Sequence, residues 1–299
     1  MVNRSVSSPL KALSPDKLFD RALVKNHRDR IASTYPNHSF LKDRTVNDLV
    51  GRLKHIRRTF STCVDLGCHT GQLSRAFKEI ATNEIICADM SYGMLQTVPS
   101  SLKLVMDEEQ LPFDSNSLDL ILSSLSLHWV NDLPGLMSQV MQCLKPDGLF
   151  LASVLGENTL LELRDCLMSV EIEIKSGLSP RVSPMMTLQD AGTLLQRAGF
   201  ALPVVDLDHV QVTYAHPMDL LHDLRQMGET NALNTRSQSI MSRTLLQRMC
   251  ELYQQKYSFS DGRIYATFDI ITMTGWKPHS SQPKPLKRGS AKSKLSDYL

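Results

Sequence analysis

Long apolar runs are missing from this sequence. None approaches the roughly 18 consecutive apolar residues of a membrane-spanning helix, so at most peripheral membrane association is expected. Paired cysteines are missing too: Cys63, Cys68, Cys87, Cys143, Cys166 and Cys250 form no C-x-x-C. That argues against a zinc site and a disulfide framework, and it predicts reduced, buried thiols. Net charge is nearly absent. The 33 Lys and Arg against 31 Asp and Glu leave +2, too little to make nucleic acid the main partner. The phosphate-loop patterns G-x-G-x-x-G and G-x-x-x-x-G-K-[ST] do not occur. There is no internal repeat, and no linker precedes residue 279.

What is there is an ordinary globular composition, 42% hydrophobic and 21% charged over 299 residues, long enough to bury a core. The opening "MVNRSVSSPLKALSP" holds Arg4, Lys11 and serines but no acid. That is the composition of a short mitochondrial transit peptide, with a disordered arm as the alternative. Residues 1–18 are assigned to this segment. Residues 279–299 are assigned to a basic, proline-rich flexible tail.

Between them, apolar runs alternate with helical patterns. "TCVDL", "EIICADM", "LKLVMD", "LDLILSSL" and "LFLASVL" read as buried strands, the last preceded by a "KPDG" turn. "TVNDLVGRLKHI" is a helix that Thr45 and Asp48 would open as a capping box. "GQLSRAFKEI" and "DLPGLMSQVMQCL" are helical by the spacing of their apolar residues. Further on come the helices "NTLLELRDCLMSVEIEI" and "TLQDAGTLLQRAGF", the latter opened by Thr187 and closed by Gly199. "VVDLDHVQVTY" and "YATFDIITMTGW" are late strands. The stretch between them, about 215–262, carries two helical patterns and is placed to cover a cleft. The pattern predicts an α/β domain over 19–278, a doubly wound, mostly parallel seven-stranded sheet with a helical cap inserted between late strands.

The stretch "CVDLGCHTG" raises the question of a ligand. Asp65, Gly67 and Gly71 stand where the first strand turns into its helix, beyond which ligands of doubly wound sheets lie. Glycine lets the backbone approach a ligand with positive φ. An acid two residues before Gly67 suits a cationic ligand better than a pyrophosphate. Asp89 ends the second strand, placed to accept ribose hydroxyls. Met90 follows it, placed to lie against a ring. Asp107 and Glu108 end the third strand, with Asp107 placed to accept from an adenine amine. An ammonium, a sulfonium, a ribose and an adenine without phosphate describe S-adenosylmethionine. In this order the residues resemble the class I S-adenosylmethionine-dependent methyltransferase family, with its Rossmann-like fold. "LPFDSNSLDLILSSLSLHWVNDLPGLMSQVMQCLKPDGLFL" looks like that family's fourth and fifth strands. His69 replaces the family's usual middle glycine. It must accept an unusual backbone angle, and it is read as a tolerated surface substitution, a weakener of binding or a contact to the methionine carboxylate.

"FDRALVKNHRDRIA", "SSLSLHWVNDLP", "GENTLLELRDCL", "GLSPRVSPM", "MGETNALN" and "ATFDIITMTGWKPHSSQPKPLKRGSA" resemble a narrower group, the mitochondrial complex I assembly factor five family. That family is related to the malonyl-acyl-carrier-protein methyltransferases of biotin synthesis. The resemblance spans roughly 19–291. It implies a protein on the matrix side of the inner mitochondrial membrane that hydroxylates an arginine of a matrix-facing complex I subunit, with other assembly factors as further candidate partners. Methyl transfer to a protein or carboxylate and non-catalytic binding are the alternatives. No oxidising motif accompanies the resemblance. "HRD" places His27 and Asp29 at an H-x-D spacing, but on a helix-like segment read as a solvated face rather than an iron site. No metal is expected. Candidate substrate residues are His128 and Trp129 after the fourth strand, Glu157 and Asn158 after the fifth, and Glu229 and Asn231 in the cap. Glu157 and Glu229 are the candidate partners of a guanidinium. Arg21, Arg28 and Arg30 are read as a docking face or an ordinary solvated helix.

Overall fold

The structure, a computed structural model, describes residues 17–78, 85–175, 177–237, 239–283 and 289–290. The segment of transit-peptide composition and most of the basic tail lie outside the described residues. Short aliphatic runs build the centre of the sheet. β1 (Cys63–Leu66), β2 (Ile85–Asp89), β3 (Lys103–Val105), β4 (Leu118–Ser124) and β5 (Leu144–Leu155) are parallel to their neighbours among themselves. β7 (Ile264–Trp276) runs antiparallel to both β5 and β6 (Ala201–Tyr214). The order is β3-β2-β1-β4-β5-β7-β6, so the chain reverses its winding between β1 and β4. At such a switch point the loops leaving the strand ends diverge and open a crevice.

Period-two alternation divides each strand between two cores. Cys63 of β1 faces one core with Leu120 and Leu122 of β4, against α2 (Phe40–Lys54) and α3 (Gln72–Phe77). Val64 and Leu66 face the other core, against α5 (Leu133–Cys143) and α7 (Leu188–Arg197). Leu49, Leu73 and Leu120 are wholly buried in the first core, each contributing about 1.5–3 kcal/mol. A third core joins α6 (Leu161–Lys175) to α8 (Pro217–Gln226) and α9 (Arg243–Lys256), the helices inserted between β6 and β7. These two helices are the expected cap. Two further helices, α1 (Arg21–Ile31) and α4 (Tyr92–Thr97), lie in contact with each other.

The strands, the late helices and the opening of α7 at Thr187 are where the sequence puts them; Thr187 forms a capping box with Asp190, and Gly199 turns the chain with φ +85°. Three details differ. α2 starts at Phe40 behind Ser39, and Thr45 lies inside it, donating from Oγ1 to the Lys42 carbonyl at 2.9 Å. The buried face of its first turns carries Lys42 and Thr45, polar residues that hide the helical stripe from a hydrophobicity reading. β3 is an edge strand, with Lys103 and Val105 exposed rather than buried. "KPDG" runs within β5, where Asp147 takes φ +64° and the pairing with β4 shifts register between Leu118 and Leu120. All six cysteines are free and buried. No helix among the described residues is long and apolar enough to cross a membrane.

Candidate functional site

β1 and β2 pair as parallel neighbours, Asp65 beside Cys87 and Leu66 beside Ala88. The loop after β1 therefore meets the end of β2. It runs through three left-handed residues, Gly67 (φ +68°), His69 (φ +51°) and Gly71 (φ +79°). The His69 amide donates to Asp89 Oδ2 at 3.0 Å, and the Ser91 amide to Oδ1 at 2.8 Å. A Cβ on Gly67 would stand 1.9 Å from Ser126 Oγ. Glycine is thus required by the protein's own packing, and a valine at this position would strain the fold rather than only block a ligand.

Asp65 is fully buried, and neither of its carboxylate oxygens has a hydrogen-bond partner among the described residues. Burial pushes its carboxyl up to about 7, against the pull of Lys42 and with the push of Asp89. Thr70 Oγ1 and both amide atoms of Gln72 are also buried without partners among the described residues. One short loop gathers several unmet polar groups, an arrangement proteins ordinarily avoid.

His69 is buried, not a surface substitution, and its ring stacks on Tyr35 at 5.1 Å. Lys42, wholly buried, donates to the carbonyls of Gly67 (3.0 Å) and Ser124 (2.8 Å) and reaches His69 Nδ1 at 2.8 Å. Burial lowers the Lys42 pKa, with Asp65 opposing. Burial and the Lys42 charge both depress that of His69, which is neutral at physiological pH. Lys42 pins the loop to the end of β4.

α1 lies across the acids. Arg28 reaches Asp89 at 3.3 Å and Glu108 Oε1 at 2.9 Å from Nη1, and Ser126 Oγ at 2.8 Å from Nη2. Arg21 binds Glu108 and donates to Asp107 Oδ1 at 2.7 Å. Arg21 and Arg28 are therefore buried members of an ion network and not part of a solvated face, whereas Arg30 is exposed. Burial alone would raise the Glu108 carboxyl, but the two guanidiniums outweigh it and hold it well below the ordinary range. Glu108, not Asp107, is the buried acid after β3; the Asp107 side chain is 40% exposed. Met90 packs with Phe19, Val24 and Trp129.

A mostly apolar cavity of about 270 Å³ opens between the sheet and the cap. Leu125, Leu155, Leu163, Leu224 and Phe268 are among its walls, and Glu229 lies at its edge with Trp129. His128 Nε2 lies 3.1 Å from Glu229 Oε2, and Trp129 Nε1 donates to Oε1 at 3.4 Å. Burial pushes the Glu229 carboxyl up, but His128 and Trp129 prevail and lower its pKa. The cavity also receives Asn231, whose Nδ2 donates to the Pro180 carbonyl at 2.8 Å. Glu157 is exposed and does not line the cavity. Asn158 is tied to Asp269 Oδ2 at 2.8 Å. The chain turns over residues 156–160 with Leu160 at φ +57°, leaving Glu157 outside the cavity wall.

His27 and Asp29 do not converge. His27, buried rather than solvated, meets Thr230 Oγ1 at 2.9 Å, while Asp29 accepts from Ser91 Oγ and the Gly93 amide. No group of three or more His, Cys, Asp or Glu among the described residues could hold a metal ion.

Sequence reasoning missed Lys42, Tyr35, Ser126, Thr70, Gln72 and the inward turn of Arg21 and Arg28. One signal was available. Arg21, Val24, Arg28 and Ile31 are spaced on one helical face, and that whole face is buried.

A model of the methyltransferase domain matches residues 64–152, from β1 into β5. Phosphoethanolamine N-methyltransferase 2 of Haemonchus contortus, solved with S-adenosyl-L-methionine, shares the fold at a TM-score of 0.52 with 15% identity, covering 86% of this chain and 60% of that one. Malonyl-[acyl-carrier protein] O-methyltransferase of Methylovorus sp. (strain MP688) is 31% identical over 283 residues, 90% of this chain and 93% of that protein. Mitochondrial arginine-hydroxylase NDUFAF5 of Danio rerio is 38% identical over 286 residues, 94% of this chain and 89% of that protein. With a class I methyltransferase fold and that degree of identity over nearly its whole length, the chain belongs to the NDUFAF5 arginine-hydroxylase family.

Proposed function

We propose that the protein hydroxylates an arginine of a matrix-facing complex I subunit, with S-adenosylmethionine held at the ends of β1 and β2. The observation that carries the substrate reading is Glu229. It is a carboxylate at the edge of an apolar cavity, with each oxygen turned by a ring N–H or ring nitrogen of a neighbouring residue. A carboxylate has about four lone-pair sites, so acceptor capacity remains for an incoming guanidinium. The apolar walls suit the methylene stem of the same side chain. An unpaired guanidinium in such a cavity would be costly, and Glu229 supplies its counter-charge.

The cofactor reading is supported by the unmet polar groups of the loop. Asp65, Thr70 and Gln72 lack partners that a ligand with an ammonium and a carboxylate would provide. When bound, S-adenosylmethionine supplies a sulfonium with an activated methyl group; in the hydroxylase reading that methyl is not consumed. The chain's own contribution is positional: Lys42 holds the Gly67 carbonyl, and backbone amides hold Asp89 towards the crevice. A ribose at Asp89 would compete with Arg28, which reaches the same carboxylate at 3.3 Å.

Methyl transfer is the second reading, favoured by the 31% identity to an O-methyltransferase. The mass of the complex I subunits from cells with and without the protein separates the two. A gain equal to one oxygen supports hydroxylation. Label from methyl-labelled S-adenosylmethionine on the subunit restores methyl transfer. An unchanged mass with failed assembly leaves a non-catalytic binding factor. Titration calorimetry with S-adenosylmethionine tests the cofactor directly, and a chain that binds NADH instead removes that part of the proposal.

A further inference from the structure

Beside the cavity lies a second cleft of about 370 Å³, which shares Arg181, Thr230 and Asn231 with it. Arg30, Arg181, Arg225 and Arg236 line this cleft, and no acidic residue does. Arg181 is compensated by Glu171 at 2.6 Å and Arg236 by Asp20 at 3.4 Å. Arg30 and Arg225 are exposed, and their side chains make no ion pair or hydrogen bond among the described residues. The chain as a whole carries only +2, so a basic composition does not account for this concentration of charge. The same charge acts on His27 in the cleft wall, which burial first and Arg30 second push down to about 4.

Arg30 lies in the last turn of α1 and Arg225 in the last turn of α8. Each alone would suit the negative end of its helix. That does not explain why two helices far apart in the sequence bring their cations to one cleft lined by no acid. Like charges gathered in this way repel one another until an anion arrives. Helix C-termini also present carbonyls, not the amide donors that phosphate sites use. The geometry points to carboxylates spread along a chain. We infer that this cleft docks an acidic stretch of the polypeptide client, next in sequence to the arginine that enters the cavity. The shared rim lets one extended segment occupy both, since neighbouring residues lie about 3.3–3.6 Å apart along it. The inference rests on the reading that a polypeptide arginine enters the cavity.

Fluorescence anisotropy with the full chain tests it, using a labelled peptide with one arginine beside a run of aspartates and its asparagine counterpart. At low salt the aspartate peptide should bind roughly three- to tenfold tighter, the scale of two partly exposed ion pairs. The double variant Arg30→Gln/Arg225→Gln should bind both peptides alike with unchanged thermal unfolding. Equal affinity for the two peptides, or a charge preference that survives in the double variant, overturns the inference. So does displacement of the aspartate peptide by inorganic phosphate beyond the effect of sodium chloride at equal ionic strength, which would make the cleft a phosphate site. Peptides with the arginine changed to glutamine separate the two readings. If only the cavity reading fails, the preference for aspartate persists in them and still depends on Arg30 and Arg225. If only the docking fails, Glu229→Gln weakens the arginine peptides and no variant changes the response to aspartate.

Discussion

Two sets of acids lie near the carboxyl ends of the strands, one wholly buried and one partly so, and they keep different company. Asp89 and Glu108 are met by full positive charges from α1, Arg28 reaching both and Arg21 reaching Glu108. Glu229, on the cap side, is met by the rings of His128 and Trp129 in an apolar wall. A buried carboxylate needs compensation in either setting. Guanidiniums neutralise the first pair and lock α1 to the sheet. Ring donors orient the second and leave it able to take a cation from outside. Asp65 stands apart from both, buried with no partner among the described residues, as expected of a residue kept for a ligand at some cost to stability.

The comparison breaks most sharply at Arg28. Arg28→Met leaves Asp89 and Glu108 as neighbouring buried carboxylates, with Arg21 on Glu108 and the Lys42 charge as the remaining compensation. Removing one partner of a buried ion pair costs about 3–5 kcal/mol, and urea denaturation should show a loss of that size. A loss below about 1 kcal/mol, the scale of a surface pair, would mean that the network is not buried in solution.

At Glu229 the expected effect is on activity. Glu229→Gln keeps the shape and removes the charge, so client modification should fall by about 1.5–3 kcal/mol, roughly ten- to hundredfold. Affinity for S-adenosylmethionine should stay within about twofold, or 0.4 kcal/mol. A variant that modifies the client normally would show that the guanidinium binds elsewhere.

Asp65 should move stability in the opposite direction to Arg28. Its folded pKa of about 7 lies above the ordinary aspartate value of about 3.9. The folded chain therefore keeps a proton that the unfolded chain releases as pH rises between these values, and stability declines across that window. Asp65→Asn removes this dependence. The variant should be more stable than the parent by about 1–2 kcal/mol near pH 8, with the gain vanishing towards pH 4, and should bind S-adenosylmethionine more weakly. Denaturation midpoints across the pH range, paired with calorimetry, check both. A variant less stable at high pH would show that the Asp65 charge is satisfied in the fold.

Glu157 gives the smallest effect. Exposed and away from the cavity, it should tolerate Glu157→Gln within about 0.5 kcal/mol in stability and without change in client modification. Loss of modification would return it to the site.

The strands and the glycine loop after β1 were legible because they depend on local pattern. Apolar Cys63, Val64 and Leu66 around one acid, followed by two glycines, announce a strand and a tight turn wherever the chain places them. The left-handed angle of His69 was foreseeable from the loop, but its burial under Tyr35 was not. The choice between Glu157 and Glu229 was also out of reach. Both follow or face strand ends, and only the folded chain leaves one of them exposed outside the cavity. The start of α2 was hidden because its inward face carries Lys42 and Thr45, whose polar atoms are satisfied by β4 and the loop after β1.

By itself the sequence determined the alternation of strands and helices, the glycine loop, the acids that end β1, β2 and β3, and the family. These rest on periodicity, turn chemistry and residue order, all properties of neighbours along the chain. Tertiary structure alone decided which charges are neutralised. Arg28 meets Asp89 across 61 positions and Glu108 across 80, and Glu229 meets His128 across 101. Burial changes the energy of a charge by far more than any local propensity does. Whether an acid is closed by the chain's own arginine or met only by ring donors is therefore set by the docking of α1 and the cap, which no local pattern encodes.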